Sequence, residues 1–314
     1  MAVTSPYSAL LAAIETREGS ASVLGSSTRY WDYGPDDAET TVIAVHGFRG
    51  EHHGLDPVVA HLRDIRVISP DLPGFGESSP MTEAPHSIDG YARWLTEFVE
   101  AIGMTGRAVI LGHSFGSIVT ASAVAHGLQT PRLILINPIA APALSGPKAI
   151  LTWFAVQYYR AAAALPDRAG HALLGAWPIV RFTSLAMVTT RQPALRRWIH
   201  DQHHTYFSRF SDRATVLEAF DASVSNDVSE SAPSITVPTL LIAADKDPIT
   251  SVAALHRLES LFPDATMHLL HDVGHLIHYE RPREAATHIV DFLGTGRVAP
   301  ALKTPPLRTP PARP

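Results

Sequence analysis

One serine flanked at a distance of two residues by glycine, Gly112-His113-Ser114-Phe115-Gly116, follows the apolar run Ala108-Val109-Ile110-Leu111 and precedes a helix-like segment, Ser117 to His126. A serine at the tip of so tight a strand-to-helix turn has unfavourable backbone angles and crowded neighbours. The two glycines remove the side chains that would clash. Its hydroxyl then projects alone into solvent. The bare five-residue pattern arises by chance in roughly one chain in ten of this length, so its surroundings decide what it means.

Those surroundings repeat one theme, a buried-strand pattern that opens into a loop rich in polar residues and glycine. Thr41-Val42-Ile43-Ala44-Val45 runs into His46-Gly47-Phe48-Arg49-Gly50, and Arg66-Val67-Ile68-Ser69-Pro70 runs into Asp71-Leu72-Pro73-Gly74-Phe75-Gly76-Glu77-Ser78. Later, Thr239-Leu240-Leu241-Ile242-Ala243 opens into Ala244-Asp245-Lys246-Asp247-Pro248-Ile249-Thr250, and Met267-His268-Leu269-Leu270 opens into His271-Asp272-Val273-Gly274-His275. Between them, Ser87 can cap a helix with apolar residues at Tyr91, Trp94, Leu95, Phe98, Val99 and Ile102, and 253–262 and 283–293 supply crossover helices. Strands that alternate with helices predict an α/β fold, with a mostly parallel sheet covered by helices on both faces.

These strand-loop units, in this order, resemble the α/β-hydrolase family over about residues 20 to 295. The resemblance implies Ser114 as nucleophile, and the backbone N–H groups of Phe48 and Phe115 as the oxyanion hole. A serine hydroxyl is a poor nucleophile near neutral pH, so a histidine must take its proton and a carboxylate must hold that histidine's tautomer. His275 follows Gly274 on the loop after the last strand and fits better than His271 or His278, which read as loop and helix-start residues. The family places its acid three residues beyond a glycine and commonly before proline. That selects Asp247, with Ala244 in the glycine position, and leaves Asp245 as the fallback.

Epoxide hydrolases and haloalkane dehalogenases of this fold attack with aspartate, because a serine would be trapped as a stable ether; Ser114 therefore points to carbonyl substrates. Ester hydrolysis without a cofactor is the simplest reading. A carbon–carbon bond hydrolase acting on a diketone is a second, although such relatives usually carry Trp after the catalytic histidine, where this chain has Leu276. An acyltransferase, with an alcohol in place of water, shares every motif. A receptor sensing a small ligand in the same pocket is a further reading.

Any single histidine among 17 is more often a surface or hydrogen-bonded core residue than a catalyst, and an aspartate after a strand is commonly a helix cap. Only the ordered set argues for chemistry. The groups His52-His53, His200-His203-His204 and His271-His275-His278 show no H-E-x-x-H pattern and the chain has no cysteine, so no metal site is expected. Disulfide scaffolding and thiolate catalysis are excluded with the cysteines. A formal charge of -5 gives no general attraction to nucleic acid, and none is expected as a partner.

From residue 137 to 238 the connection is far longer than an ordinary loop, so it must carry structure of its own. The expected organisation is a hydrolase core at 1–137 and 233–296, an inserted helical cap at 138–232, and a disordered proline-rich tail at 297–314. From Pro138 to Ile199 the only acid is Asp167, against Lys148, Arg160, Arg168, Arg181, Arg191, Arg196 and Arg197, interspersed with large apolar residues. A cap roofs a pocket. Trp153, Phe154, Leu276 and His53 are expected to line one for a small hydrophobic substrate. Most of these apolar residues could equally pack the cap onto the core. A basic, apolar cap can also rest on an anionic membrane surface, although Gln157 and Arg160 interrupt its most apolar run. The N-terminus, 1–19, lacks a basic leader and carries Tyr7, Leu10, Leu11 and Ile14 at helical spacing, which reads as a short packing helix in a cytoplasmic protein.

Overall fold

The computed structural model describes residues 3–142 and 149–300. Eight strands, β1 (Thr16–Val23), β2 (Ser26–Tyr33), β3 (Thr40–Val45), β4 (Ile65–Pro70), β5 (Ala108–His113), β6 (Leu133–Ile136), β7 (Thr239–Ala244) and β8 (Ala265–Leu270), form one sheet. Their spatial order is β1-β2-β4-β3-β5-β6-β7-β8. β1 and β2 pair antiparallel, β2 joins β4 antiparallel, and every later pairing is parallel.

Burial follows position in the sheet. β5, β6 and β7 are buried along their whole length, as strands covered on both faces must be, whereas edge strand β1 alternates between exposed and half-buried positions. Alternate residues feed opposite cores. Ile43, Val45, Ile110 and Leu241 face one cluster, with Trp94, Leu95 and Phe98 of α1 (Ile88–Ala101) and Ile118 of α2 (Phe115–Ala125). Val42, Ala44, Val109 and Ile242 face the other, with Ala285, Ala286 and Ile289 of α9 (Pro282–Leu293). Ser87 caps α1 as its sequence indicates, accepting from the Gly90 amide at 3.1 Å. α8 (Val252–Leu261) crosses from β7 to β8.

Between β6 and β7 the chain forms α3 (Ala149–Ala164), α4 (Asp167–Leu174), α5 (Trp177–Met187), α6 (Pro193–Tyr206) and α7 (Arg213–Ser225). The buried guanidinium of Arg49 ties this insertion to the loop after β3. Its Nε donates to Phe207 O at 3.0 Å, Nη1 to Tyr159 Oη at 3.2 Å and Nη2 to Leu174 O at 2.8 Å. Among the described residues no helix is long and apolar enough to cross a membrane.

Both ends of the chain depart from expectation. The N-terminal segment is helical only over Ser8–Leu11, because β1 already begins at Thr16, where β2 offers an antiparallel partner that helical spacing cannot reveal. The tail expected to be disordered from 297 is ordered at its start: Arg297 and Val298 pair with Arg63 and Leu62, and Ala299 is buried. Its remainder, 301–314, lies outside the described residues.

Candidate active site

Parallel strands bring the loops at their C-terminal ends to one edge of the sheet, and the residues singled out in sequence converge there. Ser114 sits between β5 and α2 at φ 54° and ψ -119°, a backbone conformation that an L-residue adopts only under constraint. The constraint is close approach. A methyl group on Gly116 would lie 2.4 Å from Val45 O, and one on Gly112 would lie 2.3 Å from Thr120 Oγ1, so neither glycine admits a side chain. Gly116→Ala is expected to push α2 away from the end of β3 and lower the unfolding free energy by about 1–3 kcal/mol, read from urea denaturation.

Ser114 Oγ lies 2.7 Å from His275 Nε2, and His275 Nδ1 lies 2.7 Å from Asp247 Oδ2. His275 and Asp247 are buried; Ser114 is half-buried. Burial alone would raise the Asp247 pKa, but His275, the Ile249 amide and the Asn137 side chain hold it below the usual carboxylate range. The fallback carboxylate faces elsewhere: Asp245 Oδ2 is 3.2 Å from Nδ1 of the exposed His271.

Asn137, which sequence reading passed over, links three of these loops. At the end of β6 with φ 47°, it donates through Nδ2 to Asp247 Oδ2 at 3.0 Å and to Gly274 O at 3.3 Å, and accepts from the Ile277 amide at 3.3 Å. Its only signal in sequence is an Asn-Pro step after a buried strand. Glu280 was also missed. It accepts from the Thr189 amide at 2.7 Å, the Thr190 amide at 3.1 Å and the Thr189 hydroxyl, while Thr189 Oγ1 accepts from the Gly274 amide at 3.1 Å. The inserted segment thereby grips the loop that carries His275.

Two further imidazoles stay neutral beside His275. Burial, then the neighbouring His275, pushes His113 down to about 3, and burial with His113 pushes His278 well below its ordinary value. His278 stands in the first turn of the short helix Ile277–Glu280, where it lies buried with its ring centroid 4.0 Å from that of His113.

The loop after β3 carries Phe48 against the serine: a methyl on Gly47 would lie 3.2 Å from Ser114 Cβ. His46 fixes that loop. Its Nε2 accepts from the Leu72 amide at 2.8 Å, so Nδ1 carries the proton and donates to Gly47 O at 2.8 Å. Among the described residues, the Phe48 and Phe115 amides donate to no protein acceptor. The Phe48 ring packs 6.2 Å from Phe115, 6.1 Å from Tyr159 and 6.0 Å from Phe220, and Tyr159 and Phe220 stack at 3.7 Å. The aromatic neighbours supplied by the insertion are therefore Tyr159 and Phe220.

The residues expected to line a pocket lie differently. Trp153 and Phe154 are exposed at 51% and 59%, because α3 buries Tyr159 and Ala162 on its inner face and turns these two outward. Leu276 packs with Tyr7, Trp198 and Tyr279 in a separate cluster. His52 is buried and His53 half-buried. Buried His52 donates its backbone amide to Asp71 at 2.7 Å with Nδ1 2.9 Å away, and His53 stacks on Tyr206 at 4.4 Å with Nδ1 2.5 Å from Glu51. Glu51, His52 and His53 bring possible metal-ligand atoms within 4.8 Å of one another, but Asp71 and Glu51 already engage both Nδ1 atoms, and Arg209 sits 3.6 Å from Glu51.

A parallel sheet that gathers a strained serine, an imidazole and a carboxylate at the C-terminal ends of its strands is the frame of an α/β hydrolase. The profile of the alpha/beta hydrolase family matches residues 42–301, and the chain belongs to that family. It is 23% identical over 260 residues to Lipase 3 of Moraxella sp. (strain TA144), covering 80% of this chain and 76% of the relative. It is 25% identical over 273 residues to the uncharacterized hydrolase YugF of Bacillus subtilis (strain 168), covering 84% and 93%. Among solved structures, the esterase EaEST from Exiguobacterium antarcticum superposes with a TM-score of 0.71 at 16% identity, over 88% of this chain and 98% of that one.

Proposed function

We propose that the protein is a serine hydrolase that cleaves a carboxylic ester bearing a hydrophobic acyl or aromatic group. The observation that carries this reading is the pair of 2.7 Å contacts from Ser114 Oγ to His275 Nε2 and from His275 Nδ1 to Asp247 Oδ2. His275 takes the Ser114 proton as the oxygen attacks the carbonyl carbon, and the C=O electron pair moves onto an oxyanion received by the Phe48 and Phe115 amides. The tetrahedral intermediate collapses with loss of the alcohol, which takes the proton from His275 Nε2. Water, deprotonated by the same nitrogen, then attacks acyl-Ser114, and the serine leaves reprotonated. Asp247 stays ionised throughout, holding the tautomer and stabilising the imidazolium.

These steps require no metal or cofactor. The cluster of Phe48, Phe115, Tyr159 and Phe220 argues for an apolar group beside the serine, and the inserted helices act as a cap that excludes water from the developing charge. Similarity to a lipase and an esterase agrees with an ester as substrate.

A fluorophosphonate probe tests the nucleophile, and a panel of p-nitrophenyl esters of rising acyl length, set beside a ring-cleavage diketone and an alcohol acceptor, tests the substrate. The expected result is a label on Ser114 located by tandem mass spectrometry, with turnover of apolar esters that the label blocks. A label elsewhere removes Ser114 from its role. Turnover of the diketone alone makes the protein a carbon–carbon bond hydrolase, transfer to the alcohol in preference to water makes it an acyltransferase, and tight binding without turnover makes it a receptor.

A further inference from the structure

The insertion turns an apolar face outward. On α5, Trp177, Phe182 and Leu185 are exposed at 63%, 62% and 44%, while Val180 and Ser184 are buried. At the helical repeat, Trp177, Arg181, Leu185 and Phe182 span one arc of about 140°. A helix packed on a core normally presents its apolar side inward and its polar side to water; here exposed large apolar side chains share the outer arc with the half-buried Arg181. α3 repeats the composition with exposed Trp153, Phe154 and Arg160. Isolated exposed apolar residues need no explanation, but aromatic residues gathered on one helix face mark a surface that meets something.

Charge identifies the occupant. Between Pro138 and Ile199 the chain has seven Lys and Arg residues and one acid, whereas its formal net charge is -5. That acid, Asp167, is taken by Arg213 at 2.5 Å. Arg160, Arg168, Arg181, Arg191 and Arg197 have no carboxylate partner among the described residues. A second copy docking through this face would bring a like-charged surface against it. An anionic bilayer surface complements both features, taking the Trp, Phe and Leu side chains into the headgroup boundary while its phosphates face the free guanidinium groups.

We propose that the outer face of α5, Trp177, Arg181, Phe182 and Leu185, docks the protein on an anionic phospholipid surface. Docking of this kind needs no membrane-spanning helix, and it brings the insertion that packs against Phe48 to where apolar esters are dissolved. It stands apart from the reaction proposed above, because binding to lipid is read without turnover.

The test is flotation of the full chain with vesicles of phosphatidylcholine alone and of phosphatidylcholine with phosphatidylglycerol, at low and high salt. The intact protein is expected to float with the anionic vesicles and far less with the neutral ones, and salt should weaken the binding by screening. Trp177→Ser with Phe182→Ser should weaken it by at least about 50-fold. Arg181→Gln with Arg197→Gln should weaken it roughly 30-fold on anionic vesicles and little on neutral ones. Hydrolysis of a short, water-soluble ester should be unchanged in both variants, which shows that they fold. No flotation of the intact protein, or flotation unaffected by either double substitution, overturns the proposal. So does a dimer in solution that Trp177→Ser with Phe182→Ser converts to monomer without any vesicle binding, since the face then joins two copies.

Discussion

Ser114→Ala is expected to lower turnover of a p-nitrophenyl ester by about a million-fold while leaving the circular dichroism spectrum and the urea midpoint near those of the parent. The hydroxyl makes one side-chain contact among the described residues, to His275 Nε2 at 2.7 Å, so its removal leaves little else unpaired. Alanine inherits the same backbone at φ 54°, and the turn keeps its strain. No neighbour can take over the attack. Ser117 Oγ already donates to Ser114 O at 2.5 Å and accepts from the Ile139 amide at 3.3 Å, and it is fully buried. Residual catalysis of about a thousand-fold or more over water should survive from the oxyanion donors and binding alone. Unchanged turnover in a folded Ser114→Ala protein would remove the proposed mechanism.

The parts of this molecule that were readable in sequence are those where one local rule acts without competition. Consecutive apolar residues in β5, β6 and β7 announced strands covered on both faces, and glycines at 112 and 116 announced a turn that no side chain fits. The choice between Asp247 and Asp245 rested on a motif offset, and the two side chains point to different histidines. Which face of a helix looks inward is set by partners far away in sequence. Trp153 and Phe154 were therefore expected to line a pocket, yet both are exposed, and the insertion packs Tyr159 and Phe220 against Phe48 instead. Asn137, Glu280 and Arg49 escaped notice for the same reason: each acts through acceptors or donors on loops remote in the chain, and a single polar residue carries no period to detect.

Asp247→Asn is expected to lower turnover by about ten-thousand-fold at neutral pH, with Asp245→Asn remaining within a few-fold of the parent. An amide in place of the carboxylate can meet His275 Nδ1 with an N–H, which leaves the proton on Nε2, the nitrogen that must accept one from Ser114. Asp245 has no such reach, because its partner His271 is exposed and outside the chain of contacts to the serine. A stability measurement separates the two residues again. The Asp247 pKa is held below its unfolded value of about 4 by His275, Ile249 and Asn137 despite burial. Its contribution is therefore complete above that unfolded value and is lost as pH falls through the lower folded one. In urea titrations carried down through this acidic range, Asp247→Asn should lose less stability than the parent, whereas Asp245→Asn should follow it. Equal kinetic losses in the two variants would mean that the carboxylate bonded to His275 does not direct its tautomer.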